Sequence, residues 1–470
     1  MFDFIKGLFK RKDKGGDMTK DTKYLEFLIN QFLSSRVRMD MLTGERYYRG
    51  YHDILYTKRQ AIGKGGRLVD VDNLPNNKII DNQYERLVDQ KINYLLSKPI
   101  TFKTENKEYS KLLEQVFDKR FLVTMKNLGE DCLNNGIGWL YPHYNSLGEF
   151  VFKKFEPSEI IPVWKDQEHT ELDFVIRIYE LQEWTGSILE TVEKVEVYKT
   201  SGIDRYGYRW GALKYEGHTN YISLGEQEYN WQKIPLIPFK YNQIEKPLIN
   251  RVKNLQDAIN KILSMFQNNM EEDPRSTILI ITNYEGQDLG EFRENLSRVG
   301  AVNVGKDGKL EKLTIEVNHE NYKFILDELK DALIENGRGF DAKDKRMGAN
   351  PNQMNIQSMY SDIDLDANGM ETEFQASFDK TLWFVNNYLS HKGFGDFESE
   401  KAQIIFNKDI LINETDAINN CAKSEGIISK KTIVSQHPWV TDVEAELAEM
   451  KKEDELEPYG NLGSGDSNEE

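Results

Sequence analysis

The apolar positions along this chain change their period repeatedly, and each change marks an element. Residues 19–60 read as helical, with Leu25, Leu28, Ile29, Phe32 and Leu33 on one stripe. Gly63, Gly65 and Gly66 form a flexible stretch, and helical patterning resumes over 83–97 and 107–136, where Leu87, Ile92, Leu95 and Leu96 recur. From Trp139 to about Pro238 the period shortens to two. Segments such as Phe174–Tyr179 and Val192–Tyr198, set between turn residues, predict an antiparallel sheet.

Pro247 suits a first helical position. It opens a run with Leu248, Val252, Leu255, Ile259, Ile262 and Phe266 at alternating four- and three-residue steps, with no breaker before Pro274. This is a seam for packing against other helices, and about 25 residues at 1.5 Å each give a rod of roughly 37 Å. Residues 276–317 read as a compact α/β insert. Ser276–Thr282 is a strand, Leu289–Val299 a short helix, and Val302–Val304 with Leu310–Val317 a closing pair around Lys306-Asp307-Gly308. A second helix follows from about His319, striped by Tyr322, Leu326, Leu329 and Leu333. Two long helices bracketing a small domain place that domain at the end of a stalk.

Gly337 and Gly339, then Gly348 and Pro351, make 342–353 a mobile loop. A longer helix, roughly 354–391, leads to a strand at Gln403–Phe406. Three C-terminal helices are signalled by Asn413 and Asp416, by Ser429, and by the capping box Thr441-Asp442-Val443-Glu444, with Gly426 and Pro438 as stops. The Gly- and acid-rich final dozen residues are expected to be disordered. The fold class predicted is α+β in several domains.

Charge narrows the reading. The 470 residues carry 61 basic and 78 acidic side chains, a net −17. Tight nucleic-acid binding is driven by cations that neutralise phosphates, so any DNA contact here is loose or confined to a small basic element. Cys132 and Cys421 are too few for a disulfide framework or zinc site, and a reducing compartment is the simple reading. No apolar run approaches a membrane span. Residues 1–14 set Phe2, Phe4, Ile5, Leu8 and Phe9 among Lys6, Lys10, Arg11 and Lys12, read as a frayed or partner-bound terminal helix.

Catalytic motifs are missing from the sequence. The seven histidines are scattered, and neither a Gly-x-Ser-x-Gly elbow nor a phosphate-binding Walker loop occurs, so no catalytic residue, metal or cofactor is assigned. Asp362, Asp364 and Asp366, with Glu373, echo a calcium loop, but Ala367 stands where that loop needs glycine and helical sequence flanks it. A solvated acidic helix face is the ordinary reading. Asp327, Asp331 and Glu335 share one face of the second stalk helix. They are either a solvent-facing side or an acidic channel lining along which DNA slides. Lys343, Lys345 and Arg346, with the amides Asn350, Asn352 and Gln353, make the adjacent loop either an ordinary surface loop or a transient DNA-backbone contact.

The order of elements resembles the portal proteins of long-tailed bacteriophages. Local matches are Tyr47-Tyr-Arg-Gly50, Asn82-Gln-Tyr-Glu-Arg-Leu-Val88, Leu95-Leu-Ser-Lys-Pro99 with Ile100 and Phe102, and Phe155-Glu-Pro-Ser158. Others are Ile234-Pro-Leu-Ile-Pro238, Phe406-Asn407 with Asn413-Glu414, and Ile427-Ile-Ser429 with His437-Pro-Trp-Val440. The resemblance implies a multidomain fold with a mainly α wing and crown, an antiparallel β segment in the wing, a two-helix stem and a small α/β clip. A flexible N-terminus over 1–23 would precede a wing over 24–246. The stem would be 247–272 and 318–341, the clip 273–317 and the tunnel loop 342–356. The long helix and the rest of the wing would fill 357–405, the crown 406–457, and a disordered tail 458–470.

It further implies a dodecameric ring at one capsid vertex, assembled in the host cytoplasm and carried in the virion. Its partners would be the terminase large subunit, the head–tail adaptor, major capsid and scaffolding proteins, and double-stranded DNA held weakly and without sequence preference, with no membrane and no cofactor. Leu255, Ile259, Ile262, Phe266, Leu326 and Leu329 would pack the stem. Two other classes stay open: a metal-dependent DNA-processing enzyme using Asp362, Asp364 and Asp366, and another virion structural protein such as an adaptor or minor capsid subunit.

Overall fold

A computed structural model describes residues 21–62, 67–72, 74–224, 227–272, 278–282, 309–313, 319–341, 353–408, 414–440 and 443–456. The N-terminal helical stretch is two helices. Asp21 caps α1 (Thr22–Leu33) by accepting the Lys23 amide at 3.0 Å, and Ser35 caps α2 (Arg36–Tyr48) through the Arg38 amide at 3.1 Å. Past Tyr48 the expectation of helix fails: Gly50, at φ 81°, turns the chain into a 3-10 turn at Asp53–Tyr56 and the hairpin β1 (Gln60–Ile62) and β2 (Leu68–Asp70). Next come α3 (Gln83–Leu96), capped by Asn82, and β3 (Thr101–Lys103). The single helix expected over 107–136 splits into α4 (Lys107–Val116) and α5 (Lys119–Asn135). Asp118 is extended there, and its carboxylate accepts from the Arg120 and Phe121 amides.

The predicted sheet region holds β4 (Ile137–Tyr144), β5 (Phe150–Phe155), β6 (Ile160–Trp164), β7 (Leu172–Trp184), β8 (Leu189–Lys199), β9 (Gly202–Arg209), β10 (Ala212–Thr219), β11 (Ile222–Leu224), β12 (Gln227–Tyr229) and β13 (Ile237–Lys240). They form not one sheet but a five-stranded antiparallel meander, β10-β9-β8-β7-β6, a three-stranded sheet, β13-β4-β5, and the hairpin β11–β12. Both faces of the meander are covered. Leu25 and Ile29 of α1 pack on Ile176, Val195 and Val197, while Trp139 and Phe155 pack on Val175 and Tyr198. That double cover is why Phe174, Val175 and Ile176 are all buried despite the period of two.

α6 (Ile249–Glu272) and α7 (His319–Asn336) pack along each other. Between them, β14 (Ile278–Thr282) pairs antiparallel with β15 (Lys309–Leu313). The expected helix at 289–299 and the 302–304 strand lie outside the described residues. α8 (Gln353–His391) runs 39 residues through the main core, burying Ile363, Met370, Phe374, Phe378 and Val385 against α3 and β13. β16 (Gln403–Ile405) pairs with β3, and α9 (Glu414–Lys423), α10 (Lys430–Gln436) and α11 (Val443–Leu456) follow. Ser429 caps α10 as expected, accepting from the Thr432 amide at 3.2 Å. The chain is a mixed helix-and-sheet protein of the α+β class.

Candidate functional site

The helix pair and its base are where the sequence places its functional residues. Ile259 of α6 is fully buried in the chain's own core, with Leu333 of α7 buried nearby and Leu255, Leu326 and Leu329 partly covered against it. Ile262 is half-buried. Toward the other end of the pair, the Phe266 ring lies 5.3 Å from that of Tyr322, and Asn269 donates to the Tyr322 hydroxyl at 3.0 Å. The outer surfaces are less quiet. Met265 and Met270 of α6 and Phe324 and Ile325 of α7 are exposed, Phe324 by 65%.

Asp327, Asp331 and Glu335 are all exposed along α7, so the four-residue spacing does place them on one solvent-accessible face. Lys343, Lys345, Arg346, Asn350 and Asn352 lie outside the described residues, and Gln353 is the first residue of α8.

The segments that flank 342–352 are held firmly. After α7 the chain passes Gly337, Arg338 and Gly339 close against α3. A Cβ at Gly339 would stand 2.3 Å from a Leu87 methyl, and one at Gly337 2.5 Å from the other and 2.9 Å from the Leu333 carbonyl oxygen, so a side chain at either position would have to displace Leu87. Arg338 between them takes φ 50°. Gln90 on α3 then grips the backbone of Phe340 twice, donating to its carbonyl at 2.8 Å and accepting its amide at 3.2 Å. The Phe340 ring stacks 4.5 Å from Tyr360 on α8, so both flanks of the segment meet.

Beneath this contact lies the strongest electrostatic feature of the pair. Asp366 of α8, 7% exposed, accepts from Lys91 of α3 at 2.7 Å, from the Tyr241 hydroxyl after β13 at 2.5 Å and from Arg251 in the first turn of α6 at 2.9 Å. Arg338 adds a fourth contact at 3.5 Å, and Lys91 also donates to the Arg338 carbonyl at 2.9 Å. Burial by itself would raise the Asp366 pKa, but Lys91, then Tyr241 and Arg251, hold it below the usual carboxylate range. Burial also pulls the Lys91 ammonium below its ordinary value, opposed by the facing Asp366. One carboxylate thus ties α3, α6, α8 and the turn after α7 together.

This hub was missed in the sequence, where the acidic triplet drew attention as a calcium-loop echo. α8 runs unbroken through it, and a two-residue step on a helix turns by about 200°, so Asp364 points away from the side that Asp362 and Asp366, four residues apart, share. Asp362 is exposed, Asp364 accepts from Tyr94 at 2.6 Å, and Asp366 is occupied by cations of the protein itself. Among the described residues no cluster of three or more His, Cys, Asp or Glu side chains could share an ion. The available signal was position: Lys91 stands between Leu87 and Leu95, and Asp366 between Ile363 and Met370, each a charge on an apolar stripe.

Among the described residues no helix is long and apolar enough to cross a membrane. The sequence profile of the family described as phage portal protein, SPP1 Gp6-like, matches residues 26–457. The portal protein of Bacillus phage SPP1 is 28% identical over 453 residues, covering 93% of this chain and 87% of that protein. The portal protein of Clostridium phage phiCD119 is 28% identical over 429 residues, covering 87% of this chain and 91% of its own.

Proposed function

Since the chain belongs to the SPP1 Gp6-like family of phage portal proteins, we propose that it is one subunit of a closed ring, a dodecamer, through which viral DNA is packaged and later leaves. The ring sits at one vertex of the capsid. In this reading α6 and α7 are the stem, the β14–β15 pair belongs to a clip over 273–317, the segment 342–356 is the tunnel loop, and the last helices are the crown. The clip receives the terminase during packaging and the head–tail adaptor afterwards, and capsid and scaffolding proteins surround the wing. The chain hydrolyses nothing. Work on the DNA is done by the terminase.

The helix pair carries this reading. Two rods rise from the main core with Phe324, Ile325, Met265 and Met270 on their outer surfaces, a placement that suits coverage by neighbouring copies. The acidic row Asp327, Asp331 and Glu335 would face the channel. Carboxylates repel phosphate, so they line a path along which DNA slides without adhering. Lys343, Lys345, Arg346, Asn350, Asn352 and Gln353 would touch the DNA backbone briefly from the tunnel loop. The purified protein imaged face-on by electron microscopy should give closed rings with a central hole. Particles that stay single under every assembly condition would remove the proposal.

A further inference from the structure

One face of α6 carries polar side chains where its packing would lead one to expect apolar ones. Gln256, Asn260, Ser264 and Asn268 follow at four-residue steps, and none is more than 4% exposed. Three of them accept a backbone N–H from the segment that leads into α3, and the fourth accepts one from the first turn of α3 itself. Asn268 takes the Asn77 amide at 2.7 Å, Ser264 the Ile79 amide at 2.9 Å, Asn260 the Asp81 amide at 3.1 Å and Gln256 the Tyr84 amide at 3.0 Å. The match is one of periods. Four helical residues advance about 6.0 Å and two extended residues about 6.6 Å, so side chains one turn apart meet alternate amides until the strand bends into α3.

Gln256 and Asn260 make further bonds with their side-chain NH2 groups. Gln256 donates to the Asp81 carbonyl at 2.7 Å and to Asn260 at 3.0 Å. The Asn260 amide reaches Nδ1 of the buried His52 at 2.7 Å, so Nδ1 accepts and Nε2 donates to the Tyr47 carbonyl at 3.0 Å. The segment also reaches the other rod, because the Asp81 carboxylate pairs with Lys330 of α7 at 2.7 Å.

We propose that residues 77–84 are a strap, gripped by its backbone, which fastens α6 as far as Asn268, α7 at Lys330 and the start of α3 into one rigid unit. The inference rests on this ladder and not on the portal reading. Within that reading it means that the base of the stem turns only with the whole subunit, and that independent motion of the rods is confined to the part beyond residue 268.

The test uses the alternation. The amides of Asn77, Ile79 and Asp81 are in the ladder, and those of Lys78 and Ile80 take no part in it. In the full-length protein as purified, Ile79→Pro should speed hydrogen exchange in 256–268 and in 326–334 by roughly tenfold, the loss of about one hydrogen bond. Ile80→Pro should leave both stretches unchanged, since it removes an amide that lies outside the ladder. Equal effects from the two prolines, or an α7 that does not respond to Ile79→Pro, would overturn the proposal. Should Ile79→Pro fail to accumulate, Ser264→Ala removes a single acceptor at nearly constant volume. The Ile79 amide should then exchange roughly tenfold faster, and an unchanged rate refutes the strap.

Discussion

At the residue scale the decisive group is Asp366. It faces Lys91, whose side chain is 5% exposed, so removing the carboxylate leaves a buried ammonium without its counter-ion. Asp366→Ala should therefore cost about 3–5 kcal/mol of stability, read from chemical denaturation. Asp362→Ala, at an exposed position on the same helix, should stay within about 0.5 kcal/mol of the parent. The same pairing sets a pH dependence. Asp366 and Asp53 are both held below their ordinary values against the opposing effect of burial, Asp53 at about 2, by Lys253 and Arg46. For a carboxylate depressed in the folded state, the contribution is complete above the unfolded value near 4 and is lost as pH falls through the folded value. Melting temperature should accordingly drop steeply between about pH 4 and pH 2. The drop should be shallower in Asp366→Asn, and an identical acid limb in that variant would show that the hub does not contribute it.

At the element scale the helix pair separates folding from assembly. The apolar seam read along 248–266 suggests that aspartate at Ile259 or Leu329 would block association of subunits. Ile259, however, is fully buried inside its own chain, so Ile259→Asp should prevent the chain from folding, through an unpaired buried charge. Phe324, 65% exposed on α7, tests association without that confusion. Phe324→Asp should keep the circular dichroism and melting of the parent subunit and yield no rings in native mass spectrometry. Rings of normal size from this variant would exclude the α7 outer surface from the subunit contact. The seam itself was legible because a 24-residue helix without a breaker must place its apolar residues on one side. The polar ladder was not. Gln256, Asn260, Ser264 and Asn268 look like an ordinary solvated face until an extended strand is laid against them. Similarly, the break at Asp118 was hidden because a capping aspartate inside a helical pattern is not distinguished by period.

At the scale of the whole molecule, net charge and loop placement bear on DNA. A chain of −17 should retain duplex DNA poorly, and the little binding it has should vanish as salt rises from 50 to 200 mM, an outcome filter binding can read. Deleting residues 345–353 should leave rings intact, since the flanking contacts of Phe340 with Gln90 and Tyr360 are outside the deletion, and should lower the number of DNA-filled heads. Filled heads at the parental level would free the loop of that role.

The sequence by itself determined the order of elements: a helical start, a sheet-rich middle, two rods around a strand-bearing insert, a long helix and three short ones. Those follow from local periodicity and caps, which act between residues a few positions apart. Tertiary structure alone decided that the sheet region splits into a five-stranded meander, a three-stranded sheet and a hairpin, that Asp366 is a buried hub, and that residues 77–84 strap the rods to the body. Each of these depends on groups more than 70 residues apart, where only the folded chain determines which polar atom meets which partner and which charge is removed from water.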